Sequence, residues 1–161
     1  MADDGFSQAI SSHRQALARF AFLLCGDATH AEDLVAEAYA RVWPHWRRGR
    51  VVDLLPYLRR TVANEAYRRH RRRLLERREA ARPPEPPENG RFETQIEDRD
   101  ELWGALAGLS PQQRVVVVLR IAEDLSEEQT AAMLGIPVGT VKSRLARGLA
   151  LLRAALEDGH G

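Results

Sequence analysis

The chain holds a single cysteine, Cys25, and a single lysine, Lys142, in 161 residues, and only 6% of it is aromatic. One cysteine excludes an internal disulfide and any cysteine-based metal cluster. Cys25 follows the apolar run 20–24 and reads as a buried, inert thiol. The five histidines, His13, His30, His45, His70 and His160, are scattered, and no pair has the spacing of a metal site. There is no glycine-rich phosphate loop and no nucleophile motif, so the chain reads as a non-enzyme with no metal and no cofactor. No run approaches the roughly 18 apolar residues of a membrane span, and no signal peptide opens the chain. These absences lead us to expect a cytoplasmic protein without membrane insertion.

Positive charge is present in quantity and is almost all arginine. The formal net charge of +1 hides strong segregation. Residues 1–40 carry a net −4, residues 41–78 a net +10, residues 79–101 a net −5, and residues 102–161 are neutral. A concentrated basic block in a near-neutral protein is the electrostatic footprint of a polyanion partner. A solvated arginine face is the plain alternative, but so much self-repulsion persists more readily when a polyanion relieves it. A basic helix could instead meet a membrane, yet the block lacks a broad apolar stripe.

Apolar spacing predicts helices throughout. Residues 6–25 form an amphipathic helix on Ile10, Leu17, Phe20, Ala21 and Leu24, ended by Gly26. Thr29 and Glu32 suggest a capping box for a helix through about Trp43, which Pro44 ends or kinks. Its inner face uses Leu34, Ala38 and Val42, with Val35, Tyr39 and Trp43 alongside. After a basic loop at 47–52, Asp53 is a plausible N-cap and Pro56 fits the first turn of a helix running to about Ala80. Tyr57, Leu58, Val62 and Ala66 face inward there; Arg59, Arg60, Asn64, Arg68 and the later arginines face outward.

Residues 81–93 contain four prolines and almost nothing apolar, so they read as a linker between an N-terminal domain, 1–80, and a C-terminal domain, 94–161. Inserting a few glycine–serine residues there should be tolerated, because loop entropy rises slowly with length. Each half should also fold alone. Circular dichroism of the isolated halves checks this, and loss of soluble structure in either one would show the boundary to be misplaced.

In the second half, Ile96, Leu102, Trp103 and Leu106 suggest a helix ending near Gly108. Ser110, Pro111 and Gln113 form the next cap. The segment Val115–Leu119 is rich in β-branched residues, but its flanks are helical and it has no partner strand, so a buried helix is expected. The expected class is all-α: two small helical domains joined by a flexible, proline-rich linker.

The stretch from Leu125 to Arg153 carries the strongest signal. Ser126 and Gln129 make a capping box, Gly135 stops the helix, and Pro137 allows a new one to begin. In the second helix Val141, Leu145, Leu149 and Leu152 recur as a core face, while Thr140, Ser143, Arg144 and Arg147 lie on other sides, with Lys142 flanking. This is a helix-turn-helix whose second helix bears base-reading residue types. An ordinary helical hairpin with a solvated face is the alternative; the short turn and the positive residues on the second helix favour DNA.

LSEEQTAAMLGIPVGTVKSRLARGLALLR resembles region 4 of the extracytoplasmic-function (ECF) sigma factors, of the sigma-70 family. LARFAFLLCGDATHAEDLVAEAYARVWPHW resembles their regions 2.1 and 2.2, PYLRRTVANEAYRRHRRR their regions 2.3 and 2.4, and SPQQRVVVVLRIAEDLSEEQTAAMLG the opening of region 4. Ala36, Ala38 and Pro44 depart from residues frequent at those positions. The resemblance implies a transcription initiation factor that binds core RNA polymerase, recognises two promoter DNA elements and helps to melt the one nearer the start site. It implies polymerase contacts at Asp33, Leu34 and Glu37. It implies minus-ten contacts at Arg59, Arg60, Asn64, Tyr67 and Arg68, and minus-thirty-five contacts at Thr140, Lys142, Ser143, Arg144 and Arg147. A cognate anti-sigma factor is common in that family. A stand-alone helix-turn-helix regulator is the rival, but it leaves the AEDLV segment and the arginine-rich helix without a role.

Overall fold

The computed structural model describes residues 2–80 and 97–159; the proline-rich segment 81–93, expected as a linker, and Ile96 lie outside the described residues. The chain divides into two compact units, Met1–Glu88 and Asn89–Gly161. Among the described residues every regular element is helical, as expected for an all-α chain.

The first unit is a bundle of α1 (Ala2–Cys25), α2 (Ala28–Arg47) and α3 (Leu54–Ala80), each packed on the other two. Its centre is Leu17, Phe20 and Ala21 from α1, Leu34, Ala38 and Val42 from α2, and Leu58, Val62 and Ala63 from α3, all at most 1% exposed. Burying one large apolar side chain contributes about 1.5–3 kcal/mol. This stripe therefore outweighs helix propensity in holding the bundle together.

Gly26 ends α1 at a φ of 73° and donates its N–H to the Phe22 carbonyl at 2.7 Å. Cys25 is half-buried, not buried, and its thiol donates to the Asp27 carbonyl at 3.2 Å. The cap of α2 is Asp27, not Thr29: its carboxylate accepts the His30 N–H at 3.0 Å. Coming directly after the left-handed glycine, Asp27 takes the extended N-cap conformation two residues before the expected start.

Pro44 does not end α2, which runs on to Arg47. A proline so near the C-terminus removes one hydrogen bond. Phe6 of α1 packs on α2 on both sides of the proline, with ring centroids 4.9 Å from Trp43 and 5.9 Å from Trp46. The helix α1 also starts four residues earlier than its periodicity suggests, at Ala2.

In α3, Tyr57 and Ala66 are half-buried, and the inward positions include Ala63 and Glu65. Residues 68–79 contain no buried side chain, so the second half of the helix projects beyond the bundle core.

The second unit holds α4 (Glu97–Ala107), α5 (Pro111–Val117), a π-helical turn (Val118–Ala122), α6 (Glu127–Leu134) and α7 (Val138–Gly159). Both expected capping boxes form. Ser110 Oγ accepts from the Gln113 N–H at 3.2 Å while Gln113 Oε1 accepts from the Ser110 N–H at 3.0 Å. The Ser126 and Gln129 pair does the same at 3.0 and 2.8 Å. Val115–Leu119 is buried and helical, but the last part widens into the π turn, where the Glu123 N–H donates to the Val118 carbonyl at 3.1 Å. Asp124 then takes a φ of 53°, one of the few non-glycine residue types that tolerates it.

Leu102 is 41% exposed, whereas Trp103 and Leu106 are buried. Arg114 lies over the Trp103 ring at 4.9 Å and donates to the Leu106 and Leu109 carbonyls, both at 3.1 Å. On α7, Val141 and Gly148 are buried, while Leu145, Leu149 and Leu152 are half-buried. A Cβ at Gly148 would stand 2.8 Å from Val117 Cγ2, so the missing side chain is what lets α5 and α7 approach.

Candidate nucleic-acid and polymerase interfaces

In the second unit the geometry of α6 and α7 is set by three residues. Gly135, at a φ of 68°, caps α6 and donates to the Ala131 carbonyl. Ile136 donates to the same carbonyl at 3.1 Å. Pro137 then accepts from the N–H groups of Thr140 and Val141 at 3.0 and 3.2 Å, which starts α7. Two helices joined by so short a turn form a helix-turn-helix.

Burial of Val141 and Gly148 sets the phase of α7. At 100° per residue, Thr140, Ser143, Arg144 and Arg147 fall together on a neighbouring side, about a quarter-turn round on average, at i, i+3, i+4 and i+7. Ser143 and Arg147 are exposed, and Thr140 and Arg144 are half-buried. Ser143 Oγ donates to the Thr140 carbonyl at 3.2 Å. Lys142 stands off this face, 3.8 Å from Glu127 Oε2 of α6, whereas Arg144 and Arg147 have no ion pair among the described residues.

In the first unit the arginines of α3 divide into two groups. Arg60 and Arg68 are exposed, one helical turn either side of half-buried Asn64, and among the described residues they have no ion pair. Tyr67 flanks this face and Arg59 lies further round the helix; both are half-buried. Arg69 does not face outward as expected: it pairs with Glu37 of α2 and with Glu65, at 3.7 Å from the latter. Arg73 lies 3.3 Å from the ring nitrogens of His30. The paired arginines bind α3 to α2, and Arg60 and Arg68 face solvent.

Of the three polymerase positions, Asp33 is exposed and Glu37 is partly exposed, but Leu34 is 1% exposed and belongs to the core. Leu34 holds α2 in the bundle at the inner-face position its spacing predicts, so of the three only Asp33 and Glu37 present side chains at the surface. Glu65, at 5% exposed, is what sequence reading missed. Its neighbours at Arg41 and Arg69 were visible only as unrelated charges.

Glu37 accepts from both Arg69 and Arg41. The Arg69 hydrogen bond, helped by Arg41 and opposed by partial burial, holds its carboxyl below the ordinary glutamate value. A depressed folded-state pKa stabilises the fold above the unfolded value and loses that contribution as pH falls through the folded one. The expected result is an acid limb of unfolding, beginning near pH 4.5 and extending below it, that is shallower in Glu37→Gln. Thermal unfolding across that range checks it; identical slopes would mean the pairing contributes nothing.

Among the described residues no group of His, Cys, Asp and Glu is placed to hold a metal ion. No helix among them is long and apolar enough to cross a membrane. A helix-turn-helix in one unit and an arginine-lined helix in the other define a two-module helical DNA-binding protein.

Residues 9–75 match the family model for Sigma-70 region 2, and residues 99–152 match that for Sigma-70, region 4. The chain is 41% identical over 154 residues to the RNA polymerase sigma-E factor of Streptomyces coelicolor, covering 94% of this chain and 85% of that one. It is 32% identical over 152 residues to the ECF RNA polymerase sigma factor SigL of Mycobacterium tuberculosis, covering 91% and 85%. Among solved structures it resembles the sigma factor RpoE from Bartonella quintana, crystallised in complex with the anti-sigma factor NepR. The TM-score is 0.72 at 28% identity, with 95% of this chain and 97% of that one covered. The chain belongs to the sigma-70 family, in its ECF group. It is an RNA polymerase sigma factor, a transcription initiation factor.

Proposed function

We propose that this sigma factor divides its work among three faces. Asp33 and Glu37 on α2 dock core RNA polymerase. Arg59, Arg60, Asn64, Tyr67 and Arg68 on α3 hold the minus-ten element as it opens. Thr140, Lys142, Ser143, Arg144 and Arg147 on α7 meet the minus-thirty-five element. The observation that carries this reading is the sorting of charge on α3: Arg69 is paired with acids, while Arg60 and Arg68 are unpaired among the described residues and bracket Asn64. Melted DNA needs cations for phosphate, together with polar and aromatic groups for unstacked bases. That face offers Arg60, Arg68, Asn64 and Tyr67.

Any catalytic chemistry then belongs to the polymerase, and the protein acts in the cytoplasm, where polymerase and promoter are found. By likeness to the RpoE structure, a protein regulator of the anti-sigma kind is its natural restraint. The test is reconstitution. Purified protein added to core polymerase should yield transcripts that depend on a particular promoter sequence. A stand-alone regulator would bind its DNA site without polymerase and yield no such transcripts, and that result would reject this reading.

A further inference from the structure

The ion pairs between α2 and α3 close into a ring in which acid and base alternate. Arg41 Nη2 lies 3.1 Å from Glu37 Oε1 and 3.2 Å from Glu65 Oε2. Arg69 Nε lies 3.7 Å from Glu65 Oε1, and its Nη2 pairs with Glu37 Oε2. Two sides of the ring run along a helix at i,i+4, and two cross between helices. The crossing pairs join 41 with 65 and 37 with 69, so the helices run antiparallel here.

This pattern is specific to one register. Sliding α3 by one turn in one direction would set Glu37 against Glu65. Sliding it one turn the other way would set Arg41 against Arg69. Exposed ion pairs discriminate weakly, but Glu65 is 5% exposed. A buried carboxylate that loses a partner is unfavourable, and either slip takes Arg41 from Glu65, so the ring penalises both displaced registers.

We propose that Glu65 is a positioning residue: through Arg41 and Arg69 it fixes the height of α3 against α2, so that polymerase docked on the Asp33–Glu37 face presents the Arg60–Asn64–Arg68 face at the minus-ten element. The inference rests on the assignment of those two faces. Glu65 and Arg69 each directly follow a residue of the DNA face, Asn64 and Arg68. One turn of slip moves that face by about 5.4 Å, more than the roughly 3.4 Å between successive nucleotides of a strand. Asn64 would then meet the wrong base.

The test uses holoenzyme assembled from core polymerase and the full chain carrying Glu65→Gln, Glu65→Met or Glu65→Asp, with Asn64→Ala as reference. Methionine keeps the volume and removes the buried charge, and the arginines left behind are partly exposed and still paired with Glu37, so no buried charge is stranded. Four quantities are read: unfolding of the free protein, affinity for core polymerase, open-complex formation on a duplex promoter, and the same on a promoter mismatched across minus ten. Glu65→Met should fold and bind polymerase like the parent. It should lose tenfold or more in open-complex formation on the duplex, about the size of effect that an ångström-scale misplacement produces, and should lose base preference at the position that Asn64 reads. Glu65→Asp, which keeps the charge, should recover part of that loss.

If Asn64→Ala loses its base preference while the Glu65 variants match the parent, the positioning role is overturned and the two faces stand. If Asn64→Ala also matches the parent, the face assignment fails and the inference falls with it. If Glu65→Met unfolds, or loses polymerase affinity in proportion to open-complex formation, Glu65 is a structural residue only and the positioning role is overturned.

Discussion

Replacing Arg60 and Arg68 together with alanine weakens promoter binding broadly and lowers its logarithmic salt slope by about two, roughly one for each cation withdrawn from a phosphate. Both side chains are exposed and, among the described residues, unpaired. They therefore reach DNA without first breaking an ion pair. Replacing Arg69 would not isolate the same effect, because it would also strip Glu37 and Glu65 of a partner.

Asn64→Ala should behave differently. An amide both donates to and accepts from a base edge, and alanine does neither. Polymerase binding and fold should be kept, while preference at one minus-ten position disappears. A pre-opened template separates the two cases: it should rescue the arginine variant but leave Asn64→Ala unselective. If neither variant changes transcription on either template, α3 is not the melting surface.

Arg147→Ala should cost about 1–3 kcal/mol in binding to the minus-thirty-five element and relax preference at a single base pair, if the guanidinium makes a bidentate base contact. Arg147 is exposed, away from the side of α7 that buries Val141 and Gly148, and it has no ion pair among the described residues. Binding measured across single-base variants of the element is the check. A uniform loss across all sequences would make Arg147 a phosphate contact, and an unchanged variant would remove it from the interface. Lys142→Ala should cost less, since Lys142 lies off that face and already neighbours Glu127.

The helix-turn-helix was readable because its signals are local. Ser126 and Gln129, Gly135 and Pro137 act over at most four residues. The spacing of Val141 then phases the whole recognition helix. The same holds for the Ser110 box and for the core stripes of α1, α2 and α3. Local rules misled at Pro44, where the weak point of α2 is covered by Phe6 from another helix. They misled at Thr29, because Asp27 offered an equally good cap two residues earlier. They could not announce the π turn at Val118–Ala122, which needs no distinctive residue type, or the left-handed Asp124, since aspartate is as common in helix caps and ordinary turns.

By itself, the sequence determined which segments are helical, where most of them start and stop, which faces are apolar and where arginine is concentrated. Those properties depend on neighbours within a turn and on composition. Only the tertiary structure decided which arginines are engaged and which are unpaired. Arg69 meets Glu37 across 32 residues of chain, and no periodicity encodes that distance. It also decided that Glu65 is buried between two arginines, and that Gly148 is a point where α5 and α7 touch. Each of these follows from how helices dock, because burial and ion pairing are set by the partner surface.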